Sequence, residues 1–205
     1  MKGLSVMLAL AALGTSCFAS VPVELDLTSP GGMHHVKFYG KKSDSGANVL
    51  CYRVDFNGKQ VVEESQAGLQ LDNRVWEMAL GMRSLPQPEL WMDRMEIDSV
   101  SYTRHDAEWK PLYGERSRVR DHYNGGTLYL SRKDGSNYRL NVEVRAYDEG
   151  IGFRYFFPEH PQAVFHKVTG DLTEYTFPAG TMAWAEQWAQ AHFEYLDVNA
   201  IKKPV

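Results

Sequence analysis

Carboxylates and histidines are the side chains that could support chemistry in this sequence, but their spacing forms no self-sufficient active site. The chain has 26 acidic residues and seven histidines. His34 and His35 stand together in a turn, where we expect them to be solvated rather than to bind a metal. The sequence contains no His-x-x-x-His pair, Cys-x-x-Cys pair, glycine-rich phosphate loop or serine nucleophile elbow. We therefore predict no catalytic residue in this chain.

The setting of Glu194 makes it the carboxylate to consider. It follows Trp184, Trp188 and Phe193, so an acid lies in an aromatic neighbourhood near the C-terminal end. From the residues alone, the simpler interpretation is a glutamate exposed to water at the edge of a strand, since glutamate is rarely buried without a partner.

The N-terminal segment, residues 1–19, predicts an export signal. Lys2 supplies its positive charge, and the apolar run that follows is too short to span a bilayer. A small-residue cleavage site precedes Ser20. Lipidation at Cys17 is a second possibility, but Leu13 is one position away from the usual lipobox spacing. Ordinary cleavage is the preferred interpretation.

The remaining residues, 20–205, fit one domain by length. The formal net charge of −4 is spread over mixed signs, which argues against a nucleic-acid partner. If Cys17 leaves with the signal, Cys51 stands alone, so no internal disulfide can form. Cys51 lies in an apolar run and is expected to be a buried, inert thiol. No second apolar segment is long enough to cross a membrane.

Most of the domain alternates apolar and polar residues as a half-buried strand does. Asn57-Gly58 is the strongest hairpin signal, whereas residues 73–88 predict an irregular loop because prolines and a glycine limit any helix. Many short strands between Gly, Pro, Asn and Asp turns predict a mainly β fold, an antiparallel β-sandwich. The predicted strands are 23–27, 36–39, 49–56, 60–62, 95–102, 127–130, 138–147, 151–157, 164–168 and 172–177.

Residues 108–124 interrupt this alternation with a run of aromatic and charged side chains. The run is either a solvated polar connection between two strands or an ordered loop. In the second case Trp109, Tyr113 and Tyr123 would anchor it, at an entropic cost that a solvated loop avoids. The residues alone do not favour one interpretation over the other.

Several segments together resemble the N-terminal domain of glycoside hydrolase family 97. The resemblance extends from about residue 23 to residue 198. The segments that carry it are Trp-Lys-Pro-Leu-Tyr-Gly-Glu (109–115), Val-Arg-Asp-His-Tyr-Asn (119–124), Asp-Glu-Gly-Ile-Gly-Phe-Arg-Tyr (148–155), Leu-Thr-Glu-Tyr-Thr-Phe (172–177), Ala-Trp (183–184) and Phe-Glu (193–194). Phe193 stands where the family has a tyrosine.

The resemblance implies a β-sandwich of the super-sandwich type, delivered to a bacterial periplasm. In the family this domain precedes a catalytic barrel, so we expect the sandwich over 20–205 to be incomplete at its C-terminal end. The chain is then a truncated or split product without hydrolase activity of its own. Residues 182–191 have the composition of a helical turn, but the resemblance implies an irregular aromatic segment crossing toward a partner domain.

The resemblance also reverses the interpretation of Glu194, which it implies to be a calcium ligand at the junction with the barrel. Calcium takes about six to eight oxygens, so the remaining ligands would come from elsewhere. The complete enzyme would act on α-linked glucosides or galactosides, with calcium as a Lewis acid and the sandwich capping the sugar pocket. An uncovered edge is expected to cause self-association and weak calcium binding.

Two rival functions remain open at this point. A stand-alone carbohydrate-binding or scaffold module would need exposed aromatics, with Trp91, Trp109 and Trp184 as candidates; an exported structural protein would need no ligand. For the 108–124 run, the resemblance leads us to predict that its aromatic anchors are mostly buried. Its polar groups Glu115, Arg120 and Asp121 should be hydrogen-bonded, because buried ions without partners are costly.

Overall fold

A computed structural model describes residues 23–82, 91–162, 165–186, 190 and 192–201. Two four-stranded antiparallel sheets dominate it, ordered β1-β2-β3-β4 and β6-β7-β8-β9. The strands are β1 (Glu24–Thr28), β2 (His34–Lys42), β3 (Asn48–Phe56), β4 (Lys59–Ala67), β5 (Leu69–Leu71), β6 (Met95–Trp109), β7 (Val119–Arg132), β8 (Arg139–Tyr147), β9 (Gly150–Phe156), β10 (Val168–Asp171), β11 (Met182–Ala185) and β12 (Glu194–Asp197). A helix, α1 (Arg74–Ala79), and 3-10 turns at Met92–Arg94 and Val198–Ala200 complete the described elements.

The two large sheets pack face to face, which confirms the predicted mainly β, antiparallel sandwich. Phe38 of the first sheet (β1–β4) contacts Phe153 of the second sheet (β6–β9) edge-on, with ring centroids 5.3 Å apart. The sheets approach closely enough at Gly126 that an added Cβ would lie 2.4 Å from Leu25 Cδ1. Alternate residues of each strand therefore form a continuous apolar core between the sheets.

The turn at Asn57-Gly58 joins β3 to β4, as its sequence predicts. Both residues have positive φ, 49° and 75°, which a type I′ turn requires and which asparagine and glycine tolerate. In each large sheet, strands that are consecutive in the chain are neighbours.

Residues 73–88 are not wholly irregular, since α1 occupies Arg74–Ala79; residues 83–88 of the stretch lie outside the described part. Helix α1 reverses the usual pattern of an amphipathic helix, because it buries an acidic side chain and exposes apolar ones. Glu77 is its buried side chain, while Val75 and Met78 are more than 70% exposed. Tyr138 donates a hydrogen bond to Glu77 Oε1 at 2.9 Å, and this tertiary bond satisfies a carboxylate that the local pattern would place in water.

The predictions of strands at residues 164–168 and 172–177 are only partly correct. The prediction for 164–168 lies partly outside the described residues, and the observed strand, β10, is Val168–Asp171 paired with β5. Residues 172–177 form no strand. Isolated backbone bonds join this segment to residues 63–68: the Leu172 N–H donates to the Gly68 carbonyl (2.9 Å), the Glu174 N–H to the Gln66 carbonyl (2.8 Å) and the Glu63 N–H to the Thr176 carbonyl (2.8 Å). Side chains supply further bonds, since the Tyr52 hydroxyl donates to the Glu174 carbonyl (2.6 Å) and the Thr176 N–H donates to Ser65 Oγ (2.9 Å).

The segment 182–191 was expected to be helical or irregular, and its described part instead contains strand β11. Met182 to Ala185 pair antiparallel with Asp197 to Glu194, forming a small two-stranded sheet. Pairing with β12 outweighs the local helix preference of alanine and glutamine, as tertiary context commonly does. No helix among the described residues has the length and apolar character that crossing a membrane requires.

Candidate functional site

The β11–β12 hairpin places Glu194 at the start of β12, directly opposite Ala185. Because opposite residues of an antiparallel pair share a face, Glu194 lies on the same side as Ala183 and Leu196. The other face carries Trp184 opposite Tyr195, with ring centroids 5.2 Å apart. The hairpin therefore presents an aromatic face on one side and the carboxylate on the other.

The aromatic face of this hairpin is largely uncovered. Trp184 is 70% exposed and Tyr195 is 56% exposed, and the neighbouring Phe193 is also mostly in water. Contiguous exposed aromatics of this kind mark interaction surfaces on soluble proteins. The arrangement is suited to contact with another domain or molecule.

Glu194 is exposed to solvent. It also takes part in an interaction within the folded chain. In the part of the chain that the structure describes, no group of three or more His, Cys, Asp or Glu side chains could hold a metal ion. Glu194 is chemically suitable as one hard oxygen donor for calcium, which needs about six to eight oxygens. Glu194 by itself could supply at most two of these oxygens.

The predicted 108–124 loop is mostly a long β-ribbon. β8 pairs with β7 only from Asn124 onward, so residues 105–123 of β6 and β7 continue past the sandwich as a two-stranded ribbon. Arg120 binds both carboxylate oxygens of Asp106 at 2.8 and 2.7 Å, and Arg118 binds Glu108 at 2.8 Å. These pairs link the two strands of the ribbon.

The burial predicted for the ribbon aromatics is wrong for two of the three. Trp109 is 54% exposed and Tyr113 is 90% exposed, and Leu112 beside them is 99% exposed. The reason is that no described strand pairs with the ribbon beyond Asn124, so these side chains have no sheet to pack on.

Tyr123, the third aromatic, is half-buried at the base of the ribbon. It stacks on His105 and contacts Tyr147, with centroids 5.1 Å away in each case, and the Arg145 guanidinium lies 4.5 Å from its ring. Asp121 accepts a hydrogen bond from the Tyr147 hydroxyl at 2.9 Å. Burial, with the nearby Asp121 carboxylate, raises the pKa of Tyr147 although Arg145 opposes this, so the hydroxyl remains a donor.

The hydrogen bonds predicted for the polar groups of this run are confirmed for two residues. Arg120 pairs with Asp106, and Asp121 accepts from Tyr147. Glu115 is exposed, and no described residue forms a hydrogen bond with it, so that part of the prediction is wrong. It lies in the turn that connects the two ribbon strands, where water solvates the carboxylate.

Trp91 is not an exposed carbohydrate platform. It is 2% exposed and packs edge-on against Tyr138 and Phe157, with centroids 5.8 and 6.1 Å away. The buried Arg132 guanidinium lies over both Trp91 and Tyr138 and pairs with Asp134. Trp91 is therefore a packing residue of the core, whereas Trp109 and Trp184 remain accessible to solvent.

His35 is not a solvated turn residue, and sequence reasoning missed its role. Its Nε2 lies 2.6 Å from Asp26 Oδ1 and its Nδ1 lies 3.1 Å from Asp55 Oδ2. Burial alone lowers the pKa of His35, but the hydrogen bonds to Asp55 and Asp26 outweigh it and the pKa is raised. Only the register of β1, β2 and β3 brings these three residues together, so no local signal could have found them.

Cys51 is buried, as its apolar run predicts. Burial raises the pKa of its thiol, and the nearby Glu64 carboxylate adds to this although Lys41 opposes it. A buried thiol with a raised pKa is a poor nucleophile.

Comparison with known proteins gives consistent results. A family model described as Glycosyl-hydrolase 97 N-terminal matches residues 27–202. A retaining alpha-galactosidase of Bacteroides thetaiotaomicron is 29% identical over 134 residues, which cover 65% of this chain and 17% of that protein.

Solved structures share the fold. A glycoside hydrolase family 97 enzyme from Pseudoalteromonas sp. strain K8, in complex with panose, matches with a TM-score of 0.67 at 22% identity, covering 86% of this chain and 25% of that one. A beta-arabinopyranosidase matches with a TM-score of 0.58 at 19% identity, covering 75% and 21%. The chain thus spans a quarter or less of the length of the relatives it matches.

Proposed function

The chain belongs to the glycosyl-hydrolase 97 N-terminal family, and we propose on that premise that it supports the catalytic barrel of an exported α-glucosidase or α-galactosidase. The observation that carries the proposal is the family match over residues 27–202, which spans the ribbon, the β11–β12 hairpin and both large sheets except the start of β1. The relatives are four or more times longer than the region that this chain matches. Their length is the basis for proposing that this domain is part of a larger enzyme.

The hairpin and the ribbon tip are the surfaces that would contact the barrel. Trp184, Tyr195, Leu112 and Tyr113 are all more than half exposed, and burying a large apolar side chain stabilises a contact by about 1.5–3 kcal/mol before the costs of association. The exposed pairs Arg118–Glu108 and Arg120–Asp106 link the two strands at the base of this tip.

In this proposal Glu194 supplies a carboxylate oxygen to calcium, and the other ligands come from the barrel. Its exposure and its oxygen chemistry suit that role. Calcium, when bound there, would supply a Lewis acid that polarises the glycosidic oxygen. Phe193 stands where the family has a tyrosine, so this position supplies no hydroxyl oxygen, and Glu194 is the residue of the pair that offers an oxygen donor.

Export is part of the same proposal. Residues 1–19 would direct the chain to the periplasm and be removed before Ser20, with lipidation at Cys17 as the less favoured route. Mass spectrometry of the chain recovered from a periplasmic extract would distinguish an N-terminus at Ser20 from a lipidated Cys17.

A second candidate is a carbohydrate-binding or scaffold module that acts without a barrel. The exposure of Trp109 and Trp184, 54% and 70%, favours it. The two rings lie on different projections, the ribbon and the β11–β12 hairpin.

The test combines the mature chain (20–205) with a separately expressed catalytic barrel taken from the adjoining coding sequence. We expect size-exclusion chromatography with light scattering to show an association that calcium strengthens and that Glu194→Gln makes independent of calcium. Glu159→Gln, an exposed glutamate outside the hairpin and the ribbon, is the matched control and should leave the calcium effect intact. A wild-type chain that stays separate from the barrel with and without calcium would refute the proposal, and so would the lack of an adjoining barrel sequence.

A further inference from the structure

A groove lined by polar and apolar groups lies between β1 and β6, which are edge strands of the two large sheets. Its volume of about 420 Å³ falls within the range of about 300–1,000 Å³ typical of small-molecule sites. None of its lining residues belongs to the β11–β12 hairpin or to the ribbon (105–123). The polar residues that line it are Asp26, Thr28, Tyr102, Thr103, Arg104 and Asn124.

The groove is shaped by the way the edge of β1 is protected. The Asp26 N–H donates to the Tyr102 hydroxyl at 3.4 Å, and Asn124 Nδ2 donates to the Thr28 carbonyl at 2.7 Å. Such bonds satisfy backbone groups that an edge strand otherwise offers to another chain. The first of them positions the Tyr102 hydroxyl, and Tyr102 remains 55% exposed.

Several polar groups in the groove retain free hydrogen-bonding capacity. The Asp26 carboxylate uses Oδ1 for His35, and its side chain is 47% exposed. Arg104 lies opposite Asn124 in the β6–β7 register, so both side chains emerge on the same face. Arg104 is exposed, and no described carboxylate pairs with it. Thr28 is also exposed at the groove.

These groups match the chemistry of a neutral sugar. Opposite charges from Asp26 and Arg104 balance each other, so the groove has no net charge to attract an ion. Hydroxyl and amide groups both donate and accept, as sugar hydroxyls do. An oriented aromatic ring supplies the apolar surface on which the C–H face of a sugar packs.

We infer that the groove between β1 and β6 is a saccharide-binding site of the sandwich itself. Tyr102 packs against a sugar ring, Arg104 donates to one hydroxyl and Asp26 accepts from another. Binding there needs no partner domain, so it can succeed or fail independently of the function proposed above.

The experiment titrates the 15N-labelled mature chain with maltotriose and with melibiose and follows its backbone amide resonances. We expect concentration-dependent shifts at Asp26, Thr28 and Tyr102, with a dissociation constant on the order of 1 mM for an open site of this kind. Arg104→Ala should weaken binding about tenfold, the loss expected for a charge-assisted hydrogen bond. Because Arg104 takes no part in the bonds at the edge of β1, the amide spectrum of that variant should otherwise be unchanged.

Two further variants sharpen the result. Tyr102→Ala removes the ring and should also weaken binding about tenfold, as expected when an aromatic contact is lost. Tyr129→Ala is the matched control: this tyrosine is 39% exposed but lies on the outer face of the same sheet, so the affinity should not change. The inference is overturned if neither sugar shifts the named amides, if both groove variants bind as the wild type does, or if sulfate produces the shifts and the sugars do not.

Discussion

His35→Gln removes an imidazole that connects three neighbouring strands of the first sheet. Asp26 lies on β1, His35 on β2 and Asp55 on β3, and the two carboxylates contact opposite ring nitrogens at 2.6 and 3.1 Å. Glutamine can reach one of these carboxylates and carries no charge. The variant therefore tests what the bridge contributes to stability.

The size of the effect follows from the exposure of the three side chains. His35 is 29% exposed, Asp55 23% and Asp26 47%. Hydrogen bonds to charged groups contribute about 1.5–3 kcal/mol when well buried, whereas ion pairs in water contribute about 0–1 kcal/mol. With partial exposure we expect the protonated bridge to stabilise the fold by about 1 kcal/mol.

The sign with pH follows from the direction of the pKa shift. The pKa of His35 is raised in the folded chain, because the bonds to Asp55 and Asp26 outweigh the effect of burial. The stabilisation is therefore fully present below the unfolded pKa of about 6.5 and is lost as the pH rises through the folded pKa. The advantage of the wild type over His35→Gln should be largest in mildly acidic solution.

Urea unfolding of the mature chain, followed by circular dichroism at pH 5.5 and pH 9, measures this difference. We expect the wild type to exceed His35→Gln by about 1 kcal/mol at pH 5.5 and by less at pH 9. His192→Gln, an exposed histidine near the C-terminal end, is the control and should show no such pH dependence. A difference between wild type and variant that is equal at both pH values, or larger at pH 9, would refute the reasoning.

Three further changes test the core and the exposed hairpin. Gly126→Ala should destabilise the fold by about 1–3 kcal/mol in thermal unfolding, because its Cβ would lie 2.4 Å from Leu25 Cδ1; unchanged stability would contradict the close sheet packing. Tyr138→Phe leaves the buried Glu77 carboxylate without its 2.9 Å donor and should cost about 1–3 kcal/mol in urea unfolding, with Glu77→Gln in the same background recovering part of it. Trp184→Ser removes a ring that is 70% exposed and should lower self-association in light scattering; an unchanged particle mass from an associating wild type would exclude this ring from the contact.

The strand pattern and the family could be predicted from the sequence, because both depend on the order of nearby residues along the chain. Alternation of apolar and polar residues has the period of a strand wherever a sheet is covered on one side, so β1 to β3, β8 and β9 were predicted within a few residues. Asn57-Gly58 predicted its hairpin because positive φ is tolerated by those residue types. The prediction was less accurate at residues 172–177, where isolated backbone bonds and side-chain bonds take the place of a regular strand, and at 182–185, where pairing with β12 overrides the local helix preference.

The tertiary structure decided whether each aromatic side chain is buried or exposed. Trp91 and Trp109 are both tryptophans in polar stretches of sequence, yet one is 2% exposed in the core and the other is 54% exposed on the ribbon. What separates them is whether other side chains pack on the ring. Tyr138 and Phe157 cover Trp91, whereas Trp109 lies on the ribbon, beyond the point where β8 stops pairing with β7. Residue type does not encode this.

The candidate sites also differ in whether the sequence alone could reveal them. Glu194 was reached through its place in a family motif, which is a property of order along the chain. The bridge at His35 and the groove between β1 and β6 join residues as far apart in sequence as Asp26 and Arg104. Sheet register and the packing of two edge strands bring such residues together, and both arise only when the whole sandwich has formed.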